Sequence, residues 1–290
     1  MRFSEFSILA TGLTCALLLA VAPVPTQADE ARNARERIIL SLKQATLVHS
    51  MTGAACFAMG GDLAPRASDI AMEERDAYTT VLTGLADGHQ WMGLLPEENA
   101  EMRAFIAQTQ SGWRSYGAAV AQIVHNDFRT VIMAQILYGT SAEEKRASAL
   151  ATRMIEVYGP QVFDAKLTNT LKLASHMRML TQKAIKESCF LYFGLGGAAM
   201  QAQFEQTLAD IDAAILRLSE GDGEISPPPN GRITRNLRTA RLFWDKMVPV
   251  MQAIAAGEDV ASKDIQKMIK FNVSVLKQLN QSVEGYLVGV

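Results

Sequence analysis

From Glu30 to the end of the chain, apolar residues recur at steps of three and four, and there is no sustained period-two alternation of β-branched residues. The pattern predicts helices over residues 30–59, 68–85, 97–138, 141–157, 162–193, 200–219, 232–256 and 262–287. Breakers punctuate it. Gly60-Gly61, Gly88, Gly139 and Gly159-Pro160 follow the first helices, and Pro227-Pro228-Pro229 reads as an exposed linker. The helix over 97–138 is expected to break near Gly112 and Gly117. Ser141 followed by Glu144 has the spacing of a capping box opening the next helix. An all-α fold follows.

The helix over 162–193 carries two faces. Leu173, Met177, Leu180 and Ala184 form an apolar seam for neighbouring helices. Ser175, Arg178, Gln182 and Lys186 form a second, polar and basic stripe. Such a stripe is ordinarily a solvated face; the functional alternative is an anion-binding face. Gly194, Gly196 and Gly197 mark the helix end.

The order of elements repeats. Cys56-Phe57 corresponds to Cys189-Phe190 and Gly88 to Gly221 at an offset of 133, Trp113 to Trp244 at 131, and Glu156-Val157-Tyr158 to Glu284-Gly285-Tyr286 at 128. Landmarks in one order at a slowly drifting offset indicate an internal repeat. They predict tandem duplicated four-helix-bundle modules, residues 29–160 and 161–290, behind a signal peptide at 1–28.

Composition narrows the class. The net charge of −2 supplies no basic field for nucleic acid. Arg2, the apolar run from Ile8 to Val24 and the small-residue site Thr26-Gln27-Ala28 read as a cleaved secretory signal, which implies export to the periplasm. In an exported protein Cys56 and Cys189 can form a disulfide; the alternative is two buried small side chains. His49, His89, His125 and His176 are scattered without metal-ligand spacing, so neither metal nor cofactor is expected. Glu97-Glu98 and Glu143-Glu144 read as first-turn helix charges. Trp113 and Trp244 read as core landmarks, and Met177 and Met179 as gap fillers. No nucleophile motif, phosphate loop or paired acid–base residues argue for an enzyme.

The segment Leu173-Ala174-Ser175-His176-Met177-Arg178-Met179-Leu180-Thr181-Gln182-Lys183 resembles a helix of PilJ-type sensor domains, the periplasmic N-terminal domains of type IV pili methyl-accepting chemotaxis transducers. It is also similar to the nitrate-recognition helix of nitrate/nitrite sensor kinases. The resemblance extends over most of residues 162–290 and more weakly over the first half. It implies a ligand-binding role for Arg178, Gln182 and Lys183, with Ser175 on the same stripe, and a small oxyanion held between paired helices. In the first half the corresponding residues are Ala45, His49 and Ser50, so one competent site per chain is expected. Arg178 and Lys183 are five residues apart, about 140° around a helix. A second helix, from the first half or from a homodimer partner, must therefore complete any site. The reading is an exported sensor-like module that binds a small molecule or anion such as nitrate and works with a membrane receptor or periplasmic protein. The alternative is a structural or interaction protein that kept the bundle and lost the ligand.

Overall fold

The computed structural model describes residues 26–60, 66–125 and 130–288. Among them are eight α-helices and no strand: α1 Gln27–Ala58, α2 Ala67–Asp87, α3 Ala100–Val124, α4 Thr130–Tyr158, α5 Ala165–Tyr192, α6 Gly197–Glu220, α7 Gly231–Ala255 and α8 Ser262–Val288. Short 3₁₀ turns lie at Gln90–Met92 and Gly159–Gln161. The apolar run from Ile8 to Val24 lies outside the described residues. The expected cleavage point after Ala28 falls in the first turn of α1, which Thr26 and Asp29 cap reciprocally. No described helix is long and apolar enough to cross a membrane.

By contact the helices divide into two sets of four. Helix α1 packs on α2, α3 and α4; α5 packs on α6, α7 and α8. The sets meet through α1 and α5, which pack extensively on each other. Consequently α5 is buried nearly all round from Met177 to Phe190, and the seam residues Met177, Leu180 and Ala184 lie in the core. Trp113 and Trp244 are both buried, one in each set.

Two contacts define how α1 meets α5. Cys56 and Cys189 are joined by a disulfide with a Cα–Cα distance of 6.2 Å. One turn earlier, a Cβ on Gly53 would lie 3.3 Å from Cα of Lys186. Both pairs are 133 positions apart. Two pairs with one offset, three residues apart on each helix, require α1 and α5 to run parallel and in register here. Glycine at position 53 lets the backbones approach so closely.

The junctions after α2 and α6 correspond as well. Gly88 and Gly221 both have positive φ, 84° and 71°, and a Cβ on either would lie 2.8 Å from a proline nitrogen, of Pro96 and Pro227 respectively. Only glycine suits both demands. Each loop is then tied to the central helix of its set. Arg37 donates to the carbonyls of Leu85 and Leu95 and to Glu97, while Thr170 accepts from the Ser226 amide. The segment with the three prolines is therefore anchored, with Ile225 in the core, rather than a free linker.

The third and fourth helices differ from expectation. Helix α4 runs unbroken through Gly139 and Ser141, and α3 ends at Val124. Gly112, Gly117 and Gly139 do not break helices. A Cβ at these positions would lie 2.7, 2.9 and 3.0 Å from the side chains of Arg146, Trp113 and Tyr116, so the glycines make room for large residues. The acidic pairs also have other roles. Glu97 precedes α3 and lies buried against Arg37 and Tyr158. Glu143 is buried mid-helix on Arg146, and Glu144 pairs with His49.

Candidate functional site

The polar stripe on α5 is not a solvated face: Ser175, Arg178, Gln182 and Lys186 are all buried. The first three are matched by α8 or by one another. Arg178 is 4% exposed and donates to Oδ1 of Asn280 at 3.0 Å and to Oγ of Ser175 at 3.1 Å, while its Nε has no partner among the described residues. Among the described residues no carboxylate forms a salt bridge with it; burial pulls its pKa down to about 10, against the opposing pull of Glu284. Gln182 and Asn272 exchange two amide hydrogen bonds, 2.9 and 3.0 Å, closing both side chains on each other.

Lys183, expected to join Arg178, lies elsewhere. It is half-buried near α1 and α4, where its charge helps hold His49 neutral and Glu144 ionised. The helical geometry that separates positions five apart explains the split. In this second cluster, Nε2 of His49 donates to Glu144 at 3.0 Å, and its Nδ1 has no partner among the described residues. Burial depresses the His49 pKa to about 4 despite the Glu144 hydrogen bond. Burial of Glu144 is outweighed by that hydrogen bond and by the charges around it, so its carboxyl is lowered to about 2. Nearby, Lys186 lies 3.7 Å from Glu187, and both are buried; burial lowers the lysine and raises the carboxyl.

The two clusters correspond. His49 and Gln182 are 133 apart, Glu144 and Asn272 are 128 apart, and in each half the α1 or α5 residue bonds its partner on the closing helix. The counterparts of Arg178 and Asn280 at the same offsets are Ala45 and Thr152, and both line a cavity of about 450 Å³ between α1, α4 and α5. Smaller side chains in the first half leave space where the second half holds a guanidinium and an amide.

The charge of His49 has a measurable consequence. Between pH 6.5 and about 4 the unfolded chain takes up a proton that folded His49 refuses, so its contribution to stability falls as pH drops. Glu74, raised to about 7 by burial, and Glu187, also raised, act in the opposite direction, because their folded forms take up protons first. The net slope of the wild type is therefore muted. His49→Gln, the residue at the corresponding place in the second half, is expected to lose less melting temperature than wild type between pH 7 and 5. An equal or larger loss would contradict the buried neutral imidazole.

A groove of about 840 Å³ opens between α2 and α8, above α1 and α5. Along α8 it runs from Gln266 to Glu284, about 27 Å at 1.5 Å per residue. Its apolar surface includes Ala54, Phe57, Ile70, Ile185, Ile269 and Leu276. Gln182, Asn272 and Asn280 line it too, so Arg178 lies directly behind a groove residue. Asn272, Asn280 and Glu74 were not singled out by sequence. The asparagines carry one usable signal: they are eight apart, two turns on one face of α8. Among the described residues no group of His, Cys, Asp and Glu could hold a metal ion. No family model matches the chain, and no curated protein is significantly similar to it.

Proposed function

We propose that this chain is an exported, sensor-like helical-bundle module, built by tandem duplication, that binds a small anion at Arg178. The observation that carries the reading is the uncompensated guanidinium: buried, without a carboxylate partner among the described residues, and one asparagine away from a groove. A buried charge of this kind costs stability until an opposite charge arrives. A small planar anion such as nitrate would displace Asn280 and take the two donors of the arginine fork. Lys183 acts in the neighbouring cluster in this reading, and Gln182 and Ser175 position the site. The disulfide supports an oxidising compartment such as the periplasm. A membrane receptor or another periplasmic protein would read the liganded state. A second reading, a structural or interaction module, draws on the asparagine contacts that already occupy Arg178 and Gln182.

Thermal melting in buffers of low anion content separates the two. Millimolar nitrate or nitrite is expected to raise the melting temperature, since a ligand at a hundred times its Kd stabilises by about 2.7 kcal/mol. Arg178→Ala is expected to abolish the rise, and Ser50→Ala to leave it intact. Wild type without any shift for small anions, or a shift that survives Arg178→Ala, would leave the interaction-module reading in its place.

A further inference from the structure

We infer that the groove between α2 and α8 is also a site for a small apolar amine, whose ammonium group pairs with Glu74 while its apolar body lies on Phe57, Ile70, Ile185 and Ile269. The inference shares the groove with the proposed anion site but does not depend on Arg178.

The shape is that of a small-molecule site. A volume of about 840 Å³ is within the usual range for ligand clefts, and most of its accessible surface is apolar, although polar and charged residues make up more than half of its lining. A hydrated inorganic ion does not use an apolar surface of that extent; a ligand with a hydrocarbon body does.

The polar group that sets the ligand's charge is Glu74. It lines the groove from α2, where Ser50 on α1 favours its ionised form, and its Oε2 is shielded from solvent and has no hydrogen-bond partner among the described residues. A shielded acceptor without a donor is costly, and more so when it carries charge. The charged groups around it do not supply the missing partner. On α2, Arg66 is engaged with Glu73 at 3.7 Å. Lys43 on α1 acts on Glu74 through its charge only, without a salt bridge among the described residues. On α8, Lys270, Lys277 and Glu284 are exposed to solvent. A protonated amine supplies both a donor and the opposite charge. A carboxylate ligand would meet Glu74 as a like charge, and an alcohol would supply the donor without the charge.

The position of Glu74 in this groove is particular to one side of the molecule. Its counterpart 133 residues on is Thr207, whose hydroxyl donates to the carbonyl of Gln203. The corresponding face therefore offers no carboxylate from α6 for the same ligand.

Calorimetric titration and thermal melting with 2-phenylethylamine, 2-phenylethanol and 3-phenylpropanoate test the inference on the folded chain with its disulfide intact. At pH 8 the amine is expected to bind and raise the melting temperature, and the alcohol and the carboxylate to do neither. Because burial holds Glu74 near 7, its ionised fraction falls from about nine-tenths at pH 8 to about one-tenth at pH 6, so the affinity should drop about tenfold between them. Glu74→Gln is expected to weaken amine binding at least tenfold. Ile70→Lys offers an independent check at a partly exposed position. It places a tethered ammonium one turn from Glu74 and should exclude the free amine. Arg178→Ala should leave amine binding unchanged while removing any nitrate response, so the two sites can fail separately. Absence of amine binding at pH 8, equal binding of the alcohol, or amine binding that survives Glu74→Gln would overturn the inference.

Discussion

Removing the Cys56–Cys189 disulfide is expected to destabilise the protein by about 5 kcal/mol at most on the chain-entropy account, and by 2–4 kcal/mol if it follows common experience. The bond closes a loop of 133 residues, from the C-terminal half of α1 to the same level of α5, so it removes much of the freedom of the unfolded chain. Both cysteines are buried where the two helix sets meet. A double Cys56→Ala/Cys189→Ala variant should show a lower denaturant midpoint, and wild type with reductant should move toward it. The loss should come without a change in helical content at low denaturant, because the packing of α1 on α5 remains. Identical midpoints for oxidised and reduced wild type would mean that the helix interface, not the bond, holds the halves together.

Arg37→Ala is the second substitution with a large expected effect. Arg37 is 1% exposed, and its guanidinium meets the carbonyls of Leu85 and Leu95 at 2.8 and 2.7 Å and Glu97 at 2.8 Å. Its guanidinium also stands over the ring of Tyr158, whose hydroxyl donates to Glu97. Truncation would leave a buried carboxylate and two carbonyls without their partner. Breaking one side of such a pair costs about 3–5 kcal/mol. Replacing both charges, as in Arg37→Met/Glu97→Leu, should recover much of the loss, so the two single effects should not add. Chemical denaturation of the two single variants and the double variant measures the coupling. The second half joins its loop to α5 with one neutral hydrogen bond, Ser226 to Thr170. This contrast shows that the tie from loop to central helix can be neutral, while the charges in that junction, Arg217 and Asp222, pair with each other instead.

The sequence by itself determined the helical class, most helix limits and the correspondence of landmarks. These depend on local periodicity and on breakers such as Gly88 and Gly221, whose positive φ is a property of the residue type. Where a glycine serves packing instead, the local reading fails. Gly139 looks like a stop, but Tyr116 on the facing helix occupies the space that a side chain would take, and α4 continues. The candidate site was legible in part. The spacing on α5 identified Arg178 and Gln182 as neighbours on one stripe and placed Lys183 away from them, as helical geometry requires. Only the tertiary structure decided whether that stripe faces water or protein. Because α5 is surrounded by α1, α6, α7 and α8, its polar residues are buried and must find partners, and α8 supplies Asn272 and Asn280. Those pairings join residues about 90 to 100 positions apart, and Glu74 enters the groove from a third helix. Periodicity reports which residues share a face; which faces meet is decided by packing over the whole fold.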